Sequence, residues 1–298
     1  MKAICIGHST FDTTLPMEEY PTENLKYRIN THIECGGGPA SNGAYLLAKW
    51  GLDTTIASVV GDDFYGDRVI EDFKNIGANT DYLEKRVGHE TTSSYIIANM
   101  SNGTRTIITS KKNPIRKLDK KVEGHYDLIL IDGEHPDTAK EVLENNPNAI
   151  SVLDAGRLTN DRRILGQMVT YLVCSHDFAE EFTHKKTDIN DFNTLVEIYN
   201  ELKDYFKTNV IITLEANGSF TEINGEYKII PSTKVTAIDS TGAGDIFHGA
   251  FTYFIGMGYP LEEAIRYASI TGAISVTRIG SRYSIPRLEE VLEYETVL

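Results

Sequence analysis

The amino-acid sequence predicts an α/β protein with a doubly wound, mostly parallel sheet and a small separate antiparallel β-sheet. Continuous apolar runs, which are typical of buried parallel strands, lie at residues 3–7, 56–60, 128–131, 150–153, 171–173 and 210–214. Helix-like stretches separate several of these runs, and such an alternation places ligands at the carboxyl ends of the strands. We expect the whole chain, residues 1–298, to form one domain.

The helical stretches can be placed in chain order. Residues 40–51 and 64–76 show helical spacing, and the glycines Gly51 and Gly77 end them as helix caps do. Residues 261–279 form the last long helical stretch. Another helix lies between the last two apolar runs. One apolar stripe marks it, made of Leu195, Ile198, Tyr199, Leu202 and Phe206.

Two stretches alternate between polar and apolar side chains and depart from this pattern. They are residues 25–35 and 92–109, and Ser101-Asn102-Gly103 interrupts the second one, as the turn of a hairpin does. Their strands are too polar for the core sheet. We therefore predict a separate antiparallel sheet, inserted at about residues 12–36 and 90–110.

Composition and charge exclude several classes of partner. The net charge of −14 argues against nucleic acids and anionic membranes, which need basic surfaces. No apolar run approaches the roughly 18 residues of a membrane span, and no secretion signal is recognised. The cysteines Cys5, Cys35 and Cys174 are widely spaced and match no metal or redox motif, as in a reducing cytosol. We expect a cytoplasmic protein.

The most informative motif is Asp-Ser-Thr-Gly-Ala-Gly-Asp at residues 239–245. Residues 234–238 alternate like an incoming strand, and helical spacing starts after Asp245, so the glycines lie where a helix begins. The first amides of a helix have no intrahelical partner and attract anions. Asp245 is a candidate acceptor for the proton of a hydroxyl that attacks a phosphoryl group. The alternative is a tight turn with a capping aspartate.

A second motif, Gly-Gly-Pro-Ala-Ser-Asn-Gly-Ala at residues 37–44, offers contacts for a polar ligand. Gly37 and Gly38 admit a substrate against the backbone, and the Asn42 amide both donates and accepts hydrogen bonds. Asn42 is also suited to cap the following helix. Asp12 lies just beyond the first strand, where a carboxylate accepts two hydroxyl groups, although it could equally be an ordinary turn residue.

The two motifs together resemble the two signatures of the ribokinase (pfkB) family of carbohydrate kinases, in the family order. Gly51 and Gly61 complete the first signature, and residues 277–286 are similar to the closing segment of the family. The resemblance covers essentially the whole chain. It implies that ATP and Mg²⁺ are used to phosphorylate a sugar. It also implies that the small antiparallel sheet is a lid over the sugar and that two copies pair through their lids.

The resemblance also implies roles for individual residues. Asp245 would be the general base, and the amides of Gly242, Ala243 and Gly244 would form an anion hole. The sugar would contact Asp12, Gly37, Gly38 and Asn42. The nucleotide would lie near Ser175, Thr213, Gly218 and His248. A bound K⁺ would be surrounded, mostly through carbonyl oxygens, by Asp239, Thr241, Ser275, Arg278, Gly280 and Ser284.

The chain departs from the family pattern at two places. Residues 175–178 read Ser-His-Asp-Phe where many relatives carry Asn-x-x-Glu for Mg²⁺, and Glu215 replaces a glycine of the nucleotide site. Arg157 follows a core strand and could meet an anion or form a surface ion pair. Residues 7–10 and Pro39 differ from relatives that act on sugar phosphates, which favours a free sugar such as ribose or fructose. A nucleoside kinase and a non-catalytic sugar-binding regulator remain as alternatives.

Overall fold

The computed structural model describes residues 1–110 and 114–295. The strands are β1 (Lys2–Ile6), β2 (Thr10–Met17), β3 (Ile33–Gly37), β4 (Asp53–Gly61), β5 (Asn79–Arg86), β6 (Thr92–Asn99), β7 (Thr104–Ser110), β8 (Leu128–Ile131), β9 (Ile150–Ala155), β10 (Tyr171–Ser175), β11 (Asn209–Thr213), β12 (Ser219–Ile223) and β13 (Glu226–Ile230). The helices are α1 (Pro39–Lys49), α2 (Phe64–Asn75), α3 (Pro136–Asn145), α4 (Asn160–Leu165), α5 (His176–Thr183), α6 (Phe192–Phe206), α7 (Ala243–Gly256), α8 (Leu261–Ser275), α9 (Ser281–Ser284) and α10 (Leu288–Glu295). Within the described ranges, no helix is long and apolar enough to cross a membrane.

The central sheet confirms the predicted doubly wound class. Its strands lie in the order β13-β12-β11-β10-β9-β8-β1-β4-β5. β12 is antiparallel to both β11 and β13, and the other neighbouring strands pair in parallel. The chain moves from β1 to β4 and β5 on one side, and later from β8 outward on the other. The strand order therefore reverses between β1 and β8, where the carboxyl ends of the strands leave a crevice for ligands.

Helices cover both faces of this sheet because its strands are apolar on both faces. In β1, Ala3 and Cys5 pack into one core, while Ile4 and Ile6 pack into the other. The first core includes residues of α1, α2, α7, α8 and α10, and the second includes residues of α3, α4, α5 and α6. A strand buried on both sides is a continuous apolar run, which is why the sequence revealed it.

The lid is a four-stranded sheet in the order β3-β2-β6-β7. The outer pairs are antiparallel, whereas β2 and β6 run parallel. The predicted hairpin is confirmed, with β6 and β7 on either side of the Ser101–Gly103 turn. The predicted strand at residues 25–35 is wrong over most of its length, because residues 25–32 are exposed and belong to no strand.

Two other predicted bounds are wrong. Residues 234–238 form no strand, and α8 ends at Ser275 instead of continuing to residue 279. One carbonyl group accounts for part of both differences. The oxygen of Val276 accepts from the amide nitrogens of Ile238 and Asp239, at 2.8 and 3.2 Å, so the two segments bind each other rather than extending a sheet or a helix.

The helices α1 and α7 approach each other through two glycines. A Cβ added to Gly249 would lie 2.9 Å from the Cα of Gly43, and one added to Gly43 would lie 2.3 Å from Cδ2 of Leu130. No side chain fits between the two helices at this point. The contact therefore fixes how closely the amino-terminal ends of α1 and α7 approach at the edge of the sheet.

We predict that Gly249→Ala destabilises the protein even though alanine favours helix formation. The added methyl group forces the helices apart, and overpacking of this kind costs about 1–3 kcal/mol. The matched control is Gly272→Ala in α8, where the nearest atom beyond the backbone of the helix itself would be 3.6 Å from the added Cβ. This control should gain up to about 1 kcal/mol from helix propensity. Urea unfolding measures both, and equal stability changes would contradict the prediction.

Candidate active site

The amino-terminal ends of α1 and α7 meet through a single hydrogen bond. Nδ2 of Asn42 in α1 donates to Oδ2 of Asp245 in the first turn of α7 at 2.7 Å. Asn42 lies inside α1 and Gly38 is its N-cap, so the alternative that Asn42 caps the helix is wrong. Oδ1 of Asn42 is buried and has no partner among the described residues, which leaves an acceptor for a ligand hydroxyl.

The glycine motif forms an open turn at the start of α7. Gly242 precedes the helix with φ 74°, a left-handed conformation that glycine adopts readily. No atom lies within 4 Å of a Cβ placed on Gly244, so the turn faces open space there. The Ala243 amide donates to the Ser240 carbonyl at 3.3 Å, a long bond that occupies it only partly. The geometry suits an anion at the helix terminus.

The surroundings of Asp245 make it a stronger base than an ordinary aspartate. Burial, followed by the charge of Asp154, raises the pKa of Asp245 to about 7. The hydrogen bond from Asn42 and the charges of His248 and Arg105 act in the opposite direction. A carboxylate with a pKa near neutrality accepts a proton efficiently at physiological pH.

Asp12 lies on the inner face of the lid, within β2 rather than in a turn. Thr10 donates from Oγ1 to Oδ1 of Asp12 at 2.7 Å, and a Cβ on Gly37 would lie 1.9 Å from Oδ2. Glycine is therefore needed beside this carboxylate. Burial raises the pKa of Asp12, while hydrogen bonds from Thr10 and Ser94 and the charge of Arg282 oppose the rise.

A buried arginine that sequence reasoning missed lies behind the first glycine motif. Nη1 of Arg282 lies 3.1 Å from Oδ2 of Asp72, and Nη2 donates to Oγ of Ser41 at 2.7 Å. A Cβ on Gly36 would lie 2.1 Å from Nη1 of Arg282. Arg282 follows Ser41 by more than 200 positions, so no local pattern pairs them. It supports the motif through contacts within the protein.

Asp132, at the carboxyl end of β8, was also missed. Its Oδ2 accepts from the amides of His8 and Ala40 at 2.9 and 3.1 Å, and its Oδ1 accepts from the amide of Glu134 at 2.8 Å. The carboxylate ties the end of β1 to the start of α1. A signal was present, because Asp132 directly follows an apolar run, as a ligand-facing residue does in this sheet type.

The tip of the lid touches the segment that leads into the glycine turn. The Ser240 amide donates to the Gly103 carbonyl at 3.1 Å, and Nη1 of Arg105 donates to Oγ of Ser240 at 2.9 Å. A Cβ on Gly103 would lie 2.7 Å from the carbonyl oxygen of Ala237. The lid therefore contacts the same loop that supplies the anion-binding amides.

The predicted nucleotide residues Ser175, Thr213 and Gly218 lie along neighbouring strand ends. Ser175 ends β10 and caps α5, Thr213 ends β11, and Gly218 precedes β12 with φ 100°. Arg157 forms ion pairs with Asp177 and Glu181 at 3.4 and 2.6 Å. Of the two roles considered for it, an anion contact and a surface ion pair, the structure shows the ion pair.

His248, which is predicted to lie near the nucleotide base, has its ring inside the protein. Its ring is 6% exposed and lies one helical turn beyond Gly244. Nδ1 is 2.6 Å from the Gly244 carbonyl oxygen, and Nε2 is 3.2 Å from that of Val173. Both ring nitrogens are thus engaged inside the protein, and the ring supports the glycine turn.

The predicted K⁺ residues come from two segments that the fold brings together. Oδ1 of Asp239 accepts from the Thr241 amide at 2.9 Å, and Oδ2 accepts from the Gly280 amide at 2.8 Å. The Ser284 amide donates to the Gly280 carbonyl at 3.0 Å, while Arg278 pairs with Glu290 at 3.0 Å. Ser275 ends α8 next to them. The set is rich in carbonyl, hydroxyl and carboxylate oxygens, the donors that fit K⁺.

The comparisons with known proteins agree with this geometry. The model of the pfkB family carbohydrate kinases matches residues 1–288. The chain belongs to this family. It is 24% identical to the ribokinase of Bacillus subtilis, over 98% of this chain and 99% of that protein.

Solved structures of the family share the fold. Ribokinase from Thermotoga maritima superimposes with a TM-score of 0.79 at 25% identity, covering 99% of both chains. Ribokinase from Arabidopsis thaliana, solved with ribose and ATP, gives a TM-score of 0.78 at 21% identity, covering 98% of this chain and 97% of that one. The family assignment and the ATP-dependent carbohydrate kinase activity predicted from the two motifs are confirmed.

Proposed function

We propose that this kinase transfers the γ-phosphoryl group of ATP to a hydroxyl group of a free sugar such as ribose or fructose, with Asp245 as general base. The observation that carries the proposal is the Asn42–Asp245 hydrogen bond at the junction of two helix termini. The carboxylate proposed to bind the sugar, Asp12, lies on the lid, and the residues predicted to hold the nucleotide end β10 and β11.

The residues divide the chemistry between them. Asp12 and Oδ1 of Asn42 bind sugar hydroxyl groups, and Asp245 accepts the proton of the attacking hydroxyl as the phosphoryl group moves. The amides of Gly242, Ala243 and Gly244 stabilise charge on that group. Mg²⁺ bound to the ATP phosphates supplies further neutralisation. The lid excludes water, which would otherwise compete as acceptor.

The identity of the sugar is tested by measuring ATP consumption across ketoses, aldoses and nucleosides. We expect turnover of an unphosphorylated pentose or hexose. Preferred turnover of a nucleoside would instead assign a nucleoside kinase of the same family. Binding of a sugar without consumption of ATP would support the regulatory alternative.

Asp245→Asn should reduce kcat by about 10²–10⁴-fold, because the amide has nearly the same shape but cannot accept the proton. ATP affinity and melting temperature should remain close to those of the unmodified protein. The control is Asp204→Asn, which removes an exposed carboxylate that pairs only with Lys207 at 3.3 Å among the described residues. If Asp245→Asn kept a third of kcat, Asp245 would not be the base.

Asp12→Ala should weaken sugar binding much more than ATP binding. Loss of a buried charged acceptor costs about 1.5–3 kcal/mol, or roughly ten- to a hundred-fold in Kd. Calorimetric titration with the sugar and with a non-hydrolysable ATP analogue measures both affinities in one preparation. An unchanged sugar Kd would remove Asp12 from the sugar site.

We also propose that K⁺ binds between the segment of Asp239 and Thr241 and the loop that contains Gly280. Because Asp239 holds both segments next to the glycine turn, the cation would act mainly on kcat. We predict that K⁺ raises kcat in a Mg²⁺-saturated assay at constant ionic strength, while Na⁺ changes it little. A flat response to K⁺ titrated from zero would contradict this site.

We propose that two copies pair through the outer face of the lid. Tyr95 and Ile108 are cross-strand partners on the face opposite Asp12, and they are 46% and 58% exposed. We predict that sedimentation shows a dimer that Ile108→Lys dissociates. Ile164→Lys, at an exposed position of α4, is the matched control and should leave the dimer intact. A monomer before any substitution would exclude this interface.

A further inference from the structure

A buried acid–histidine pair lies beside the candidate base. Asp154, at the carboxyl end of β9, is 7% exposed, and His248 in α7 is 6% exposed. Oδ2 of Asp154 and Nδ1 of His248 are 3.2 Å apart. The two residues are distant in sequence, and neither has a part in the division of the chemistry proposed above. Buried charges of this kind persist when each has a partner.

The surroundings of His248 determine its protonation. Nδ1 faces the Gly244 carbonyl oxygen at 2.6 Å and the Asp154 carboxylate, and Nε2 faces the Val173 carbonyl oxygen at 3.2 Å. A carbonyl oxygen can only accept a hydrogen bond. Each ring nitrogen therefore faces an accepting oxygen, and an imidazolium ion paired with the Asp154 carboxylate would satisfy these contacts.

The pair can affect the candidate reaction centre in two ways. It holds the Gly244 carbonyl, which belongs to the peptide unit that follows the anion-binding turn. It also places one negative and one positive charge near Asp245, and Asp154 is the charge that raises the pKa of that carboxyl. The groups that face Asp245 come from four elements, namely Asn42 of α1, Arg105 of β7, Asp154 of β9 and His248 of α7.

The charge of Asp154 is itself balanced. Burial raises the pKa of Asp154, while the charges of His248 and Arg162 lower it and that of Asp132 raises it further. His248 is the largest of the opposing causes. Removing either member of the pair should therefore leave the other as an uncompensated charge beside Asp245, with opposite consequences for the base.

We propose that Asp154 and His248 are positioning residues that set the basicity of Asp245 and hold the glycine turn. The inference rests on the proposed role of Asp245 as general base. Asp154 keeps the base strong enough to take the hydroxyl proton near neutral pH. His248 limits the rise in the basicity of Asp245 that Asp154 causes. Through the Gly244 carbonyl, it also orients the first turn of α7.

The test is the pH dependence of the single-turnover rate in Asp154→Asn, in His248→Asn and in the double variant. Below the pKa of Asp245 the rate should fall about tenfold for each pH unit, because the base becomes protonated. Asp154→Asn removes a negative charge, so this acid limb should move to lower pH by about one unit or more. His248→Asn removes the positive charge, so the limb should move to higher pH.

Two features separate this role from a purely structural one. The side-chain amide that His248→Asn introduces can still donate to the Gly244 carbonyl, whereas His248→Ala removes that contact and should lower the rate at every pH. The double variant removes both charges, so its acid limb should return towards that of the unmodified protein. A structural defect would lower the rates without moving the limb in opposite directions. Asp204→Asn is again the control.

The outcomes distinguish this inference from the proposed function. If Asp245→Asn is inactive but neither single variant moves the acid limb, the positioning role is overturned and the base remains. If Asp245→Asn stays active, the proposed role of Asp245 as general base is wrong, and the positioning role has no basis. Nitrogen-15 NMR of the unmodified protein, with the His248 signals assigned by their absence in His248→Asn, should show two protonated ring nitrogens. One unprotonated nitrogen would overturn the ion pair regardless of activity.

Discussion

The active site depends on one close contact between two helices. Gly43 of α1 and Gly249 of α7 touch without an intervening side chain, with 2.9 Å between an added Cβ on one and the Cα of the other. Because α1 and α7 both begin at the carboxyl edge of the sheet, this contact sets the separation of their positive ends. The Asn42–Asp245 hydrogen bond spans that separation. The contact therefore brings Asn42 of α1 and Asp245 of α7 together at one edge of the sheet, where we propose that the substrate hydroxyl meets its base.

Three carboxylates around the candidate site differ in chemistry because their surroundings differ. Asp132 accepts from three backbone amides and serves as a structural link between β1, α1 and the segment after β8. Asp12 accepts from a threonine hydroxyl and lies on the inner face of the lid. Burial and the nearby charge of Asp154 raise the pKa of Asp245 to about 7, and the hydrogen bond from Asn42 opposes this rise. This environment suits a carboxylate that accepts a proton near neutral pH.

The lid is connected to both halves of the reaction centre. Its strand β2 follows β1 after a short turn, and β3 leads directly into α1, so the sugar side of the site is continuous with the lid. At the other end, Gly103 and Arg105 contact Ser240 in the segment before the anion-binding turn. Backbone and side-chain hydrogen bonds thus connect the lid with the segment before the glycine turn.

The sequence by itself determined the fold class, the hairpin of the lid and the two glycine motifs. These features are local, since apolar runs, alternation and turn residues describe contacts within a few positions of the chain. Only the tertiary structure decided that residues 25–32 and 234–238 form no strands, that Arg282 supports Ser41, and that His248 turns inward to Asp154. Each of these depends on which distant segment lies opposite a residue. Packing makes that choice, and the spacing of residues along one chain does not record it.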